Sequence, residues 1–328
     1  MKVLVAGASG VVGRRMVPQL VAAGHHVVAR SGPDRGRAGG PAGTDLVAVD
    51  VFDGEALTAL VVAHRPDVVV HQLTRLPRSL AGVDGRSFSD ANVRIRTLGT
   101  ANLVAAATAA GTPRLVAQSL AFAYAPVGPM VVSEEAPLFL DAPGSWGTSV
   151  AAVAELEHLV LRRFEGTGTV LRYGRLHGPG TWWAADGDLT AEVRAGTFPL
   201  VGDGAGVTSF LHVDDAATAA CLAVEAGRPG VYNVADDDPA PSATWIPHLA
   251  IRLGAPPPPW LDEQEALSRL GWQAVHERTA QRGAHNGAAR EQLGFVPSAP
   301  WRDRLGAGPD GPTVRPGPSR APRGRGAN

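Results

Sequence analysis

Gly7, Gly10 and Gly13 are the first residues in the chain whose spacing suggests chemistry. The stretch KVLVAGASGVVGRRM sets them between an apolar strand over residues 3–6 and an amphipathic helix, a context that points to phosphate binding. Gly7 permits a tight turn, Gly10 lets the backbone approach a pyrophosphate, and Gly13 lets the helix pack close to the sheet. Unpaired N–H groups at the helix N-terminus would face the anion. The turn as a whole, Ser9, Val11 and Val12 included, is expected to cradle a nicotinamide dinucleotide; an ordinary strand-to-helix turn is the plainer alternative. Cofactor type is read at the end of the second strand, where NAD asks for a carboxylate. The chain offers Ala29-Arg30-Ser31 there, with Arg35 close behind. Arginines pair well with a 2′-phosphate, so Arg30 and Arg35 favour NADP, with NAD possible and solvated loop arginines as the alternative. Asp50, followed by Val51, ends the next strand and is placed to meet the adenine amino group.

The elements that must hold these residues follow from the apolar pattern. After the first strand and its helix come a strand starting near residue 26 and further apolar strands over 46–49, 67–72 and 114–118, with a helix over 89–110. Strands alternating with helices predict an α/β fold, a Rossmann-type doubly wound parallel sheet. Residues 1–170 read as an NAD(P)-binding domain. Residues 171–305 read as a smaller, mainly substrate-binding domain, some of whose segments return to the main sheet. Residues 306–328 are rich in Gly, Pro and Arg with little apolar content, a composition expected to stay disordered.

Composition narrows the function. The 328 residues carry 30 Lys and Arg against 31 Asp and Glu, which argues against a nucleic-acid binder and leaves a small molecule as the expected partner. A single cysteine, Cys221, excludes an internal disulfide and suits a reducing, cytoplasmic setting. No apolar run is long enough to cross a bilayer, so no membrane role is expected. No His, Cys or Asp cluster has metal spacing. Lys2 is the only lysine in the chain.

Several landmarks occur in one order: GASGVVG at 7–13, PDVVVHQLT at 66–74, NVRIRTLGTANLVAAA at 92–107, AQSLAFAYAP at 117–126, LRYGRLHGPG at 171–180, SFLHVDD at 209–215 and VYNVADDDP at 231–239. Together they resemble the extended short-chain dehydrogenase/reductase superfamily, in its NAD-dependent epimerase/dehydratase group, over nearly the whole chain to about residue 305. The resemblance implies cofactor contacts at Gln72, Leu73 and Thr74 near the nicotinamide ribose and at Asn92, and commonly a homodimer. It also implies a catalytic Ser with a Tyr-x-x-x-Lys pair, the lysine lowering the tyrosine pKa for proton exchange. Those positions fall here on Leu120, Trp146 and Val150. With Lys2 as the sole lysine, no Tyr-x-x-x-Lys exists at any offset, and the tyrosines are Tyr124, Tyr173 and Tyr232 alone. An arginine that grips nucleotide-sugar diphosphates in the family is replaced by Thr208. Trp146 and Leu120, with Trp182 and Trp183, would instead offer apolar and aromatic pocket walls; packing tryptophans are the alternative.

Three residues are candidates to replace the missing acid. Tyr124 lies near the expected nicotinamide edge and, with a phenol pKa near ~10, would donate a proton more readily than accept one. His177 stands where the family lines its substrate pocket, and Ser119 would hydrogen-bond a carbonyl. Structural roles are the alternative for each. The expected activity is an NAD(P)-dependent oxidoreductase, a reductase acting on a hydrophobic or aromatic small molecule, in the manner of secondary metabolism. A non-redox cyclase, dehydratase or isomerase on the same fold is the first alternative, and an NADP(H)-sensing binding protein the second.

Overall fold

The computed structural model describes residues 1–31, 44–82 and 85–308. Seven strands form one sheet: β1 (Lys2–Ala6), β2 (His26–Ser31), β3 (Thr44–Ala48), β4 (Val68–His71), β5 (Arg114–Leu120), β6 (Thr167–Tyr173) and β7 (Gly230–Val234). Their order is β7-β6-β5-β4-β1-β2-β3 and every pairing is parallel. The order reverses between β1 and β4, and such a switch point opens a crevice at the carboxyl ends of the strands. The Gly7 turn leaves β1 there and Gln72 leaves β4.

Unbroken apolar runs such as VLVA in β1 and VVV in β4 have no polar face, so the sheet needs helices on both sides. The first half of the chain supplies α1 (Gly13–Ala22), α2 (Gly54–His64), α3 (Gly85–Arg94), α4 (Thr100–Ala109) and α5 (Gly144–His158). The second half adds α6 (Asp188–Arg194), α7 (Val213–Ala226), α8 (Ser242–Arg252), α9 (Glu263–Leu270), α10 (Trp272–Thr279), α11 (Gly287–Leu293) and α12 (Trp301–Arg304). Met16, Leu20, Ala216, Ala220 and Leu293 of α1, α7 and α11 pack on one face. Leu57, Val61, Leu103 and Leu156 of α2, α4 and α5 pack on the other. A third core surrounds Trp245 with Trp183, Phe198, Phe210 and Trp301. No helix among the described residues is long and apolar enough to cross a membrane.

The helix predicted over 89–110 is more elaborate. Between α3 and α4 the chain widens into a π-type turn at Ile95–Gly99. The Ile95 carbonyl accepts the Thr100 backbone N–H, the five-residue bond of such a turn, and Thr100 Oγ1 adds a second bond to it at 3.3 Å. Turns of this kind recur at functional sites, and this one carries Arg96 toward the end of β4.

Candidate functional site

The glycine turn is shaped by close approach. Gly7 has φ +99°, and a Cβ there would lie 2.6 Å from the Gln72 carbonyl oxygen, so only glycine lets the two switch-point turns touch. A Cβ on Gly13 would lie 2.2 Å from Gly7 O, which keeps α1 close beneath the turn. A Cβ on Gly10 would meet only Gly7 O, at 3.1 Å. Val12 is buried at the start of α1, with Ser9 and Val11 on the turn before it. On the far side, Arg15 bonds Asp214 at 2.7 Å and the Pro179 carbonyl at 2.9 Å, drawing the Gly178-Pro179-Gly180 turn against α1.

The adenine end is cationic. Arg30 is buried at the end of β2, donates to the Val49 carbonyl, and keeps its Nε without a partner among the described residues. Burial lowers its pKa, and the Asp50 carboxylate beside it opposes the shift. Asp50 accepts from the Phe52 amide at 3.0 Å and Val51 is buried next to it. His71, at the end of β4, bonds Thr100 at 3.0 Å. Burial, then Arg30 and Arg96, push its pKa down to about 3, so the imidazole is neutral. Arg96 has no hydrogen-bond or ion-pair partner among the described residues, and burial brings its pKa down to about 10. Gln72 donates to Tyr173 at 3.0 Å while its Oε1 stays buried and unpartnered; Leu73 is half-buried and Thr74 exposed. Asn92 clips the following segment by bonding both the amide (2.9 Å) and the carbonyl (3.1 Å) of Arg75. Unpartnered Arg30 Nε and Gln72 Oε1 along a glycine cradle fit a dinucleotide. Arg35 lies outside the described residues.

Two of the three acid candidates are brought together, but in a buried bracket instead of an open site. Ser119 Oγ donates to Glu157 at 2.6 Å. Glu157 also accepts from Arg172 Nε at 2.8 Å and Nη2 at 2.6 Å. Arg172 Nη1 bonds the Tyr124 hydroxyl at 2.9 Å, and that hydroxyl donates to Asn233 at 2.7 Å. The chain Ser119–Glu157–Arg172–Tyr124–Asn233 thus ties β5, α5, β6 and β7. Tyr124 is 1% exposed, and burial raises its pKa despite Arg172. Tyr124, the candidate proton donor, and Ser119, the candidate carbonyl partner, thus have polar atoms that already serve groups burial would otherwise leave unsatisfied. His177 is 1% exposed between His212 and Phe210, at centroid distances of 5.0 and 6.0 Å. Burial, then His212 and Arg304, hold it well below its usual pKa, so the ring is neutral, and its buried Nδ1 has no partner among the described residues.

The aromatic wall differs from the expected one. Trp183 is a core residue of the second half, edge-on to Phe198 at 5.4 Å and Trp245 at 5.3 Å, and not a pocket wall. Trp182 is half-buried and bonds the Pro77 carbonyl at 3.0 Å, fastening the segment after β4. Trp146 and Val150 lie one turn apart on α5. A Cβ on Gly147 would fall 2.1 Å from Ala142 O, so glycine lets the chain cross the first turn of the helix and fix Trp146 in place. Val150 is 0% exposed. The Trp146 ring lies parallel to Phe122 at 6.0 Å, two residues beyond half-buried Leu120. The Arg175 guanidinium sits 4.8 Å from the Phe122 centroid, held by Glu277 (3.2 Å) and Gln281 (3.3 Å). Phe122, Arg175 and Arg96 were not singled out by sequence reasoning. Both Phe122 and Arg96 had a signal, lying in the landmarks at 117–126 and 92–107, but the π-type turn that carries Arg96 had none.

Residues 3–235 match the NAD dependent epimerase/dehydratase family, and the chain belongs to that family. It is 53% identical over 308 residues to the 3-diazoavenalumate denitrifying reductase of a Streptomyces species, covering 93% of this chain and 99% of that one. Among solved structures, the Thermotoga maritima UDP-glucose 4-epimerase with UDP-glucose aligns with a TM-score of 0.71 at 20% identity, over 93% of this chain and 96% of that one. A human epimerase family protein with NADPH aligns with a TM-score of 0.69 at 21% identity, over 92% and 96%. These two share the fold.

Proposed function

We infer that this chain, an NAD(P)-dependent oxidoreductase, reduces an aromatic diazo acid by replacing the diazo group with hydrogen. The observation that carries the reading is the missing acid. Trp146 and Val150 stand where the family resemblance puts Tyr and Lys, while Ser119 and Tyr124 are hydrogen-bonded within the buried bracket and His177 is buried and held neutral. A ketone reductase needs a proton for the oxygen it creates. A diazonium carbon needs none: bound NAD(P)H supplies a hydride, and R–N2⁺ plus hydride gives R–H and N2, balanced in atoms and charge. The 53% identical relative is named for a denitrifying reduction of a diazo compound, which is the chemistry such a site permits.

The chain's own residues position the partners. Gly7, Gly10 and Gly13 would admit the pyrophosphate to the N-terminus of α1, Arg30 and Arg96 would take up the remaining phosphate charge, and this pair favours NADP over NAD. Trp146 and Phe122 would face the substrate ring, and Arg175 beside them would attract its carboxylate. Val150 and the indole exclude water from the reacting end.

Isotope transfer tests the reading. With [4-²H]NADPH, deuterium should appear on the carbon that carried nitrogen, one N2 released per NADPH oxidised, and no label should come from D2O. Label from solvent, or nitrogen loss without NADPH oxidation, would refute it.

A further inference from the structure

We propose that Trp146 and Val150 protect the enzyme from its own substrate, by removing from the reacting end of the site the phenol and amine that a diazonium ion would couple with. The inference rests on the diazo reading above. An arenediazonium joins a phenol through its terminal nitrogen: a C–N bond forms ortho to the phenolic oxygen and the ring C–H proton leaves to solvent. With an amine, an N–N bond forms and an N–H proton leaves. Neither step requires an oxidant or reductant, so both compete directly with hydride transfer. A Tyr and Lys beside the diazo carbon would be the first residues modified.

The remaining side chains fit the same pattern. Lys2 opens β1 at the amino end of the strands, opposite the carboxyl-end crevice, its ammonium on the His64 carbonyl at 2.8 Å. Tyr124, Tyr173 and Tyr232 are all buried, and each hydroxyl is hydrogen-bonded. Burial raises the pKa of all three, keeping them from the phenolate form that couples. The one thiol, Cys221, sits on α7 against Met16, and burial pushes its pKa up to about 12, leaving little thiolate. The crevice imidazoles of His71 and His177 are each 1% exposed. What faces the Trp146 position is carbon: the Phe122 ring on one side and buried Val150 one turn along the helix.

The test uses 4-carboxybenzenediazonium as the probe, with and without NADPH, on the full chain and two variants. Trp146→Tyr restores the phenol, and Phe122→Tyr adds one to the adjacent ring with minimal disturbance, so a folding failure in one leaves the other. Intact mass and peptide mapping read the azo adduct. At least tenfold more adduct than wild type is expected, on the peptide spanning 144–158 for the first variant and that spanning 114–126 for the second, with NADPH slowing its formation. Both phenols remaining unmodified, or wild type modified to the same extent in those peptides, would overturn the proposal. Failure of the wild type to oxidise NADPH with any diazonium would instead overturn the diazo reading, since adduct formation is measured without turnover.

Discussion

Glu157 accepts three hydrogen bonds in a buried setting, and its removal would strand the Arg172 guanidinium. Glu157→Ala is expected to cost about 3–5 kcal/mol, the range for uncompensated buried charge, in a denaturant melt. Tyr124→Phe removes two links, one from the Arg172 guanidinium and one to Asn233, so stability should fall by about 2–4 kcal/mol while turnover stays within about threefold. A hundredfold loss of turnover with normal cofactor binding would return Tyr124 to the chemistry. Trp146→Ala is expected to raise substrate KM by about tenfold through loss of the ring pair, leaving the NADPH Kd unchanged. At this scale the glycine turn, Arg30 and Trp146 were legible in the sequence because their roles depend on local spacing. The surroundings of Ser119, Tyr124 and His177 were not legible, because Glu157, Arg172 and Asn233 around the first two and the His212 and Phe210 rings around the third come from distant segments.

Among the elements, the π-type turn at Ile95–Gly99 is the one that sequence periodicity hid. Its apolar spacing suits an α-helix on either side, and only the Thr100 side chain, bonding back to Ile95, marks the wider turn. Its consequence is Arg96, expected to bind cofactor phosphate. Arg96→Gln should weaken NADPH binding by about 10- to 100-fold, the worth of one hydrogen bond to a charged group, in a fluorescence titration. Comparable weakening for NADP and NAD would point to the pyrophosphate, and loss for NADP alone to the 2′-phosphate; no change for either would exclude the role. The strands were legible to within two or three residues, since a parallel sheet buried on both faces requires unbroken apolar runs.

For the whole molecule, buried ionisable groups set the response to acid. The folded chain holds His71 at about 3 and His177 well below its ordinary value, whereas an unfolded histidine titrates near ~6.5. The unfolded chain therefore binds more protons below that pH, and stability present above about 6.5 drains away as pH falls. Asp236 acts oppositely: burial raises it to about 6, so its contribution favours the folded state in acid and is lost as pH rises through 6. His212, lowered, and Asp215, raised, oppose each other in the same way. Between pH 4 and 6 the two imidazoles held neutral by burial oppose the one raised carboxyl and outnumber it. Tm should decline steadily over that window, and a flat profile would contradict the neutral buried imidazoles.

β7 gives the architecture a practical boundary. Residues 230–234 complete the sheet beside β6, and Asn233 within them bonds Tyr124 of the first half. A chimera that joins residues 1–170 of this chain to the remainder of a relative would cut β6, exchange an outer strand and replace both Arg172 and Asn233 of the buried bracket. Recombination that respects the fold would instead retain 209–239 with the recipient and move Phe122, Trp146 and Arg175 together, because the proposed substrate contacts come from both sides of residue 170. A cut at residue 170 therefore divides the sheet, the buried bracket and the proposed substrate contacts alike.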